Sequence, residues 1–151
     1  MSPWLVDASV LLAYEDLDDD DHAGAARLIE GAEAVSTLDL ALYEVSNVAI
    51  RAWNDRAAAR RLRDSISVLA GDGGIVRADA QLLEAASELA MASDLSVYDA
   101  AYVAAAAATG AELVSCDVRD LVSRGLARLP ADAVGSPRQA PGAPPARRPP
   151  R

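Results

Sequence analysis

Apolar positions fall along this chain in two rhythms. Short runs at Trp4–Val6, Ala34–Ser36, Ile75–Arg77 and Glu112–Cys116 are bounded by polar or turn residues and read as strands. Between them the spacing turns helical. Helices are predicted over Val10–Tyr14 with Ser9 near the start, about Asp21–Gly31, about Leu38–Trp53 and about Arg56–Leu69. Two more follow, one capped by Asp79 and reaching about Ser93, the other capped by Ser96 and stopped by Gly110. Leu121 and Val122 bury a short helix, and Leu126–Leu129 can supply a fifth, edge strand. Strands alternating with helices predict an open α/β fold, whose ligand crevice lies outside the carboxyl ends of the strands.

Four acids break this apolar pattern. Asp7 follows the run Trp4-Leu5-Val6, where it either caps the next helix or faces the crevice. Glu44 shares its helical stripe with Leu40, Ala41 and Val48, and either snorkels out, pairs with Arg51, or stays partly desolvated. Asp99 opens an almost wholly apolar helix, at the place a capping box also uses. Asp117 ends the run Leu113-Val114-Ser115-Cys116 as Asp7 ends the first one; the two acids meet if the first and fourth strands are neighbours.

Composition narrows the chemistry. A chain of 151 residues with 52% hydrophobic content supports a single domain with one core. The one cysteine, Cys116, excludes an internal disulfide framework and any multi-cysteine zinc site, and with no basic leader or apolar span the expected location is the cytoplasm, away from membranes. A net charge of −9 disfavours non-specific nucleic-acid binding. All 14 basic residues are arginine, which removes P-loop and Schiff-base chemistry, both of which need lysine.

The acidic run Asp18–Asp21 lacks the glycine-spaced pattern of a Ca²⁺ loop and reads as a solvated loop before a helix. His22, the sole histidine, reads as a surface residue beside it. Arg56, Arg60 and Arg63 fall on one helix face, either a solvated stripe balanced by Asp55 and Asp64 or a ridge for phosphates. From Gly135 the chain is rich in Pro, Ala, Gly and Arg, so residues 1–134 are expected to form the domain and 135–151 a disordered tail.

Carboxylates gathered without a counter-ion repel, and no lysine exists to neutralise them. Oxygen-only ligands of this kind suit Mg²⁺ or Mn²⁺. The segments Val6-Asp-Ala-Ser-Val-Leu11, Tyr43-Glu-Val-Ser-Asn47, Val97-Tyr-Asp-Ala-Ala-Tyr-Val-Ala104 and Leu113-Val-Ser-Cys-Asp117 resemble, in order, the four motifs of the PIN domain. In length and spacing, about residues 3 to 130, the chain is similar to VapC-type toxins of toxin–antitoxin pairs. The resemblance implies a three-layer α/β fold with a five-stranded parallel sheet flanked by helices. It also implies Mg²⁺-dependent (or Mn²⁺-dependent) endoribonuclease activity, an RNA substrate, a VapB-like antitoxin and a homodimer. Asp7, Glu44, Asp99 and Asp117 match its catalytic, metal-binding quartet, and Ser9 and Ser115 match hydroxyl positions beside it. Ser-Cys-Asp at 115–117 departs from the family's frequent Thr-Ala-Asp, and the Pro/Arg tail lies outside the pattern. Water activated by metal would leave 5′-phosphate ends and need no histidine. Arginines must then attract the RNA to an acidic centre, with Arg51, Arg56, Arg60 and Arg63 the candidates. The alternatives are a PIN nuclease acting on RNA or DNA outside a toxin system, and a metal-free interaction module.

Overall fold

The computed structural model describes residues 3–31, 34–72 and 74–135. Strands β1 (Trp4–Val6), β2 (Val35–Leu38), β3 (Ile75–Val76) and β4 (Glu112–Val114) form one parallel sheet in the order β3-β2-β1-β4. Val6 at the end of β1 sits opposite Thr37 on one side and Val114 on the other. Helices α1 (Ala8–Glu15) and α2 (His22–Ile29) connect β1 to β2, α3 (Leu40–Arg51) and α4 (Arg56–Gly71) connect β2 to β3, and α5 (Ala80–Ser93) and α6 (Val97–Thr109) connect β3 to β4. The chain steps outward from β1 to β3 and then crosses back to the far side of β1. Right-handed crossovers therefore put α1 to α4 on one face and α5 and α6 on the other. The contacts agree, with α4 over β2 and β3 and α6 over β1, β2 and β4. Strand order reverses between β1 and β4, the place where open α/β sheets bind ligands.

Leu5, Val6, Leu38 and Val114 fill the sheet, packed by Val10, Leu11, Val45, Leu62, Ile66 and Leu121 from the layers around it. Helix α6 lies between α5 and the sheet and buries Ala100, Ala101, Ala105 and Ala106, small enough to let the backbones approach. Caps follow the sequence: Asp55, Asp79 and Ser96 each accept from the N–H three residues on, at 2.9, 2.8 and 3.0 Å. Gly110 takes the left-handed conformation that ends α6.

Several boundaries differ from expectation. Among the described residues the sheet has four strands, not five. In Leu126–Leu129 only Arg128 makes a parallel bridge, to Val114, fixed by Ser115 N–H to Arg128 O and Arg128 N–H to Leu113 O, both 2.9 Å. Pro130 has no N–H to extend the ladder and instead opens a helix, α7 (Pro130–Gly135), that the hydrophobic pattern did not signal. Strand β2 runs on through Leu38, and Asp39 N–H bonds to Val76 O, so α3 starts at Leu40. Beyond the Ser115–Arg128 hydrogen bond the ladder ends because Cys116 and Asp117 give their N–H groups to the hydroxyls of Ser9 and Ser115. His22 is half-buried, with Nδ1 2.9 Å from Ala13 O and its ring stacked on Tyr14. The expected tail from 136 onward lies outside the described residues. Among the described residues no helix is long and apolar enough to cross a membrane.

Candidate metal centre

Asp7 leaves β1 with extended backbone and becomes the N-cap of α1. Its Oδ1 accepts from Ser9 N–H at 3.0 Å, from Val10 N–H at 3.4 Å and from the Ser9 hydroxyl. Its Oδ2 accepts from the Ser115 hydroxyl, across the β1–β4 junction. Asp7 is thus a cap, and it also stands at the strand-order reversal; the two readings are one residue's two sides. It is 6% exposed, and burial pushes its carboxyl up to about 6 although Ser115, Ser9 and Val10 pull the other way. The charge of Glu44 adds to the rise.

Ser9 and Ser115 knit the two loops together. Ser9 Oγ accepts from Cys116 N–H at 2.9 Å, Ser115 Oγ accepts from Asp117 N–H at 3.0 Å, and the two hydroxyls lie 3.4 Å apart. Ordering Asp7 and delivering Asp117 are therefore the work of one hydrogen-bonded unit. Burial pushes the Cys116 thiol to about 12, which leaves it unreactive as a thiolate source.

Glu44, half-buried on α3, does not pair with Arg51. Its Oε1 accepts from the Tyr102 hydroxyl at 2.7 Å. Desolvation raises its carboxyl above the ordinary range, Tyr102 moderates the rise, and Asp99 reinforces it. Asp99 sits in the first turn of α6, its N–H capped by Ser96. Its carboxyl is raised by partial burial, held back by Ser96, and raised again by Asp117 and Asp120. The four expected acids are thus linked pair by pair through their charges, Asp7 to Glu44, Glu44 to Asp99 and Asp99 to Asp117.

The tightest group within this arc includes a residue the sequence reading missed. One carboxylate oxygen each of Asp99, Asp117 and Asp120 lie within 4.8 Å of one another, all three residues half-buried. Asp117 caps a single π-helical turn, Val118–Val122, by accepting from Asp120 N–H at 3.0 Å, and this turn carries Asp120 back beside it. The Asp117-x-x-Asp120 spacing held the signal, since residues three apart share a helical face. Tyr102 was also legible: a phenol inside an alanine helix must find a polar partner.

Cations are nearly absent. Among the described residues the one arginine at ion-pair distance from these five acids is Arg119, 3.8 Å from Asp120 with its side chain 92% exposed. So exposed a pair contributes little. Arg51, Arg56, Arg60 and Arg63 are all exposed and, among the described residues, form no ion pair. The α4 arginine that does pair is Arg61, with Glu15 of α1. Oxygen donors at this spacing, without fixed cations, fit a hard divalent ion that keeps several waters, which Mg²⁺ and Mn²⁺ both are.

A parallel α/β sheet with a crowd of carboxylates at its strand-order reversal defines the class: an α/β protein with an oxygen-only centre suited to a divalent cation. The chain belongs to the PIN domain family, whose model matches residues 4–124. It is 32% identical over 119 residues to Ribonuclease VapC3 of Pyrobaculum aerophilum, covering 75% of this chain and 88% of that one. Its fold is similar to that of Mycobacterium tuberculosis VapC20, a toxin that cleaves the sarcin–ricin loop (TM-score 0.65, 22% identity, 81% of this chain and 95% of that one). A toxin–antitoxin complex from Klebsiella pneumoniae is similar to the same extent (TM-score 0.64, 18% identity, 83% and 96%).

Proposed function

We propose that the protein is a divalent-metal-dependent endoribonuclease, the toxin of a toxin–antitoxin pair, with Asp7, Glu44, Asp99 and Asp117 as its working acids and Asp120 beside them. The observation that carries this reading is the convergence of the acids, almost unneutralised, at the β1–β4 reversal of a PIN-family chain. Its likeness to a ribonuclease, VapC3, over most of both chains supports RNA as the substrate. Similarity to a chain solved as part of a toxin–antitoxin complex supports a VapB-like partner. A homodimer and a cytoplasmic location complete the reading.

Asp99, Asp117 and Asp120 would hold the cation, with Asp7 and Glu44 completing its surroundings. A bound divalent ion supplies the positive charge that activates water and stabilises the developing charge on the phosphate. The chain's own part is to orient. Ser9 and Ser115 fix both oxygens of Asp7, and Tyr102 fixes Oε1 of Glu44, with no charge cancelled in either case. Asp7, buried and held by four donors, keeps a fixed carboxylate orientation beside the cation's surroundings. Exposed Arg51, Arg56, Arg60 and Arg63 draw the RNA backbone toward a centre that would otherwise repel it.

The test is cleavage of RNA with Mg²⁺ or Mn²⁺, with EDTA, and with Asp99→Asn. The expected result is products bearing 5′-phosphate and 3′-hydroxyl ends, lost on chelation and lost in a variant that still melts cooperatively. Cleavage that survives EDTA, or that leaves 2′,3′-cyclic phosphates, rejects the metal mechanism.

A further inference from the structure

Tyr102 is 2% exposed on α6, yet its phenol is engaged on both sides. Its hydroxyl donates to Glu44 Oε1 at 2.7 Å, and the oxygen also faces the backbone N–H of Ala8. That N–H belongs to the first residue of α1 and has no intrahelical acceptor. One phenol therefore joins three elements: the start of α1 directly after Asp7, the carboxylate of α3, and α6 one turn beyond Asp99. Glu44 reaches the acidic group from a helix that carries none of the other acids. Its side chain has three rotatable torsions, and the Tyr102 contact is what selects among them.

We propose that Tyr102 is a positioning residue, whose hydroxyl fixes the Glu44 carboxylate toward the cation and locks it to the Asp7–Ala8 peptide. A neutral donor suits the task. A lysine or arginine in its place would orient Glu44 equally well but would cancel the charge the cation needs. A phenol is uncharged at neutral pH, so it donates without cancelling charge. The inference rests on the metal-dependent reading above, and concerns which residue sets the ligand geometry of that site.

The experiment titrates Mn²⁺ into wild-type protein, Tyr102→Phe, Glu44→Gln and the double variant, following free Mn²⁺ by electron paramagnetic resonance. Cleavage of a single-stranded RNA is measured on the same samples as a function of Mg²⁺. Tyr102→Phe should weaken Mn²⁺ binding by roughly tenfold, the size typical for a group that orients a metal ligand. It should raise the Mg²⁺ needed for half-maximal cleavage by a similar factor and leave KM for RNA unchanged. In the Glu44→Gln background the same change should have no further effect on Mn²⁺ binding, because Tyr102 acts through Glu44. An unchanged midpoint in Tyr102→Phe, or a full additional loss in the double variant, overturns the proposal. Should Tyr102→Phe fail to fold, Glu44→Asp interrogates the same bond from its other end. That variant keeps the charge but withdraws the carboxylate from Tyr102, so an unaltered Mn²⁺ midpoint overturns the proposal. A wild-type protein that binds Mn²⁺ but cleaves no RNA would refute the ribonuclease reading alone, with Tyr102 still judged by its Mn²⁺ binding.

Discussion

Asp7 concentrates the conflict between stability and function in a single side chain. Four donors surround it, yet burial keeps its carboxyl near 6. An unfolded aspartate gives up its proton near 3.8, so folding takes up a proton between those two values. The metal-free protein is then most stable below that window and loses stability as pH rises through it. At about 1.4 kcal/mol per pH unit the loss is on the order of 3 kcal/mol. Asp7→Asn should therefore abolish cleavage, stabilise the metal-free protein at pH 7 by about 1–3 kcal/mol, and flatten the slope between pH 4 and 6. Urea denaturation across that range, without metal, checks it; a slope as steep as wild type would mean that Asp7 is not the titrating group. Mg²⁺ should raise Tm more at pH 7.5 than at pH 5, since a cation at the proposed centre would bind the ionised carboxylates.

Elements set the precision with which these residues meet. Helix α2 docks on α7 at Gly24, where a Cβ would lie 2.8 Å from Ala131 N and 3.1 Å from its Cα. Gly24→Ala gains helix propensity of about 1 kcal/mol. Against this, the collision is with backbone that no rotamer change can move, and overpacking of this kind costs about 1–3 kcal/mol. The net expectation is a destabilisation of about 1 kcal/mol, read from urea denaturation; a stabilised variant would show that α7 yields freely. On α4 the question is electrostatic. If its exposed arginines guide substrate, Arg56→Ala with Arg60→Ala should weaken RNA binding and lower the salt slope by roughly one for each phosphate no longer neutralised, with Mn²⁺ binding unaltered. An unchanged slope would return α4 to a solvated face.

Across the whole molecule, charge is unevenly arranged: five acids converge at one end of the sheet, while Arg51 of α3 and Arg56, Arg60 and Arg63 of α4 stay in solvent. A partner that inserts a guanidinium among the acids would compete with the cation, and so couple binding to inhibition. Induction of this chain alone should arrest growth, and co-expression of an adjacent small gene should relieve it. Harmless expression of a chain that cleaves RNA in vitro, with no neighbouring binder, would place it among PIN nucleases outside toxin systems.

Local chemistry is what the sequence by itself determined. Runs of Leu, Val and Ala separated by caps located nearly every strand and helix, because capping and amphipathic spacing act within one or two turns. Asp7, Glu44, Asp99 and Asp117 stood out for the same reason, each being costly in its own apolar neighbourhood. Only the tertiary structure decided which of these neighbourhoods touch. It made β1 and β4 partners, ended the sheet at four strands among the described residues where Pro130 withholds its N–H, and bent Asp120 back beside Asp117 through a π-helical turn. It gave Glu44 to Tyr102, 58 residues away, rather than to Arg51 two turns along the same helix. Hydrogen bonds between distant segments depend on how the layers pack, and packing is a property of all the side chains together, which no single stretch of residues contains.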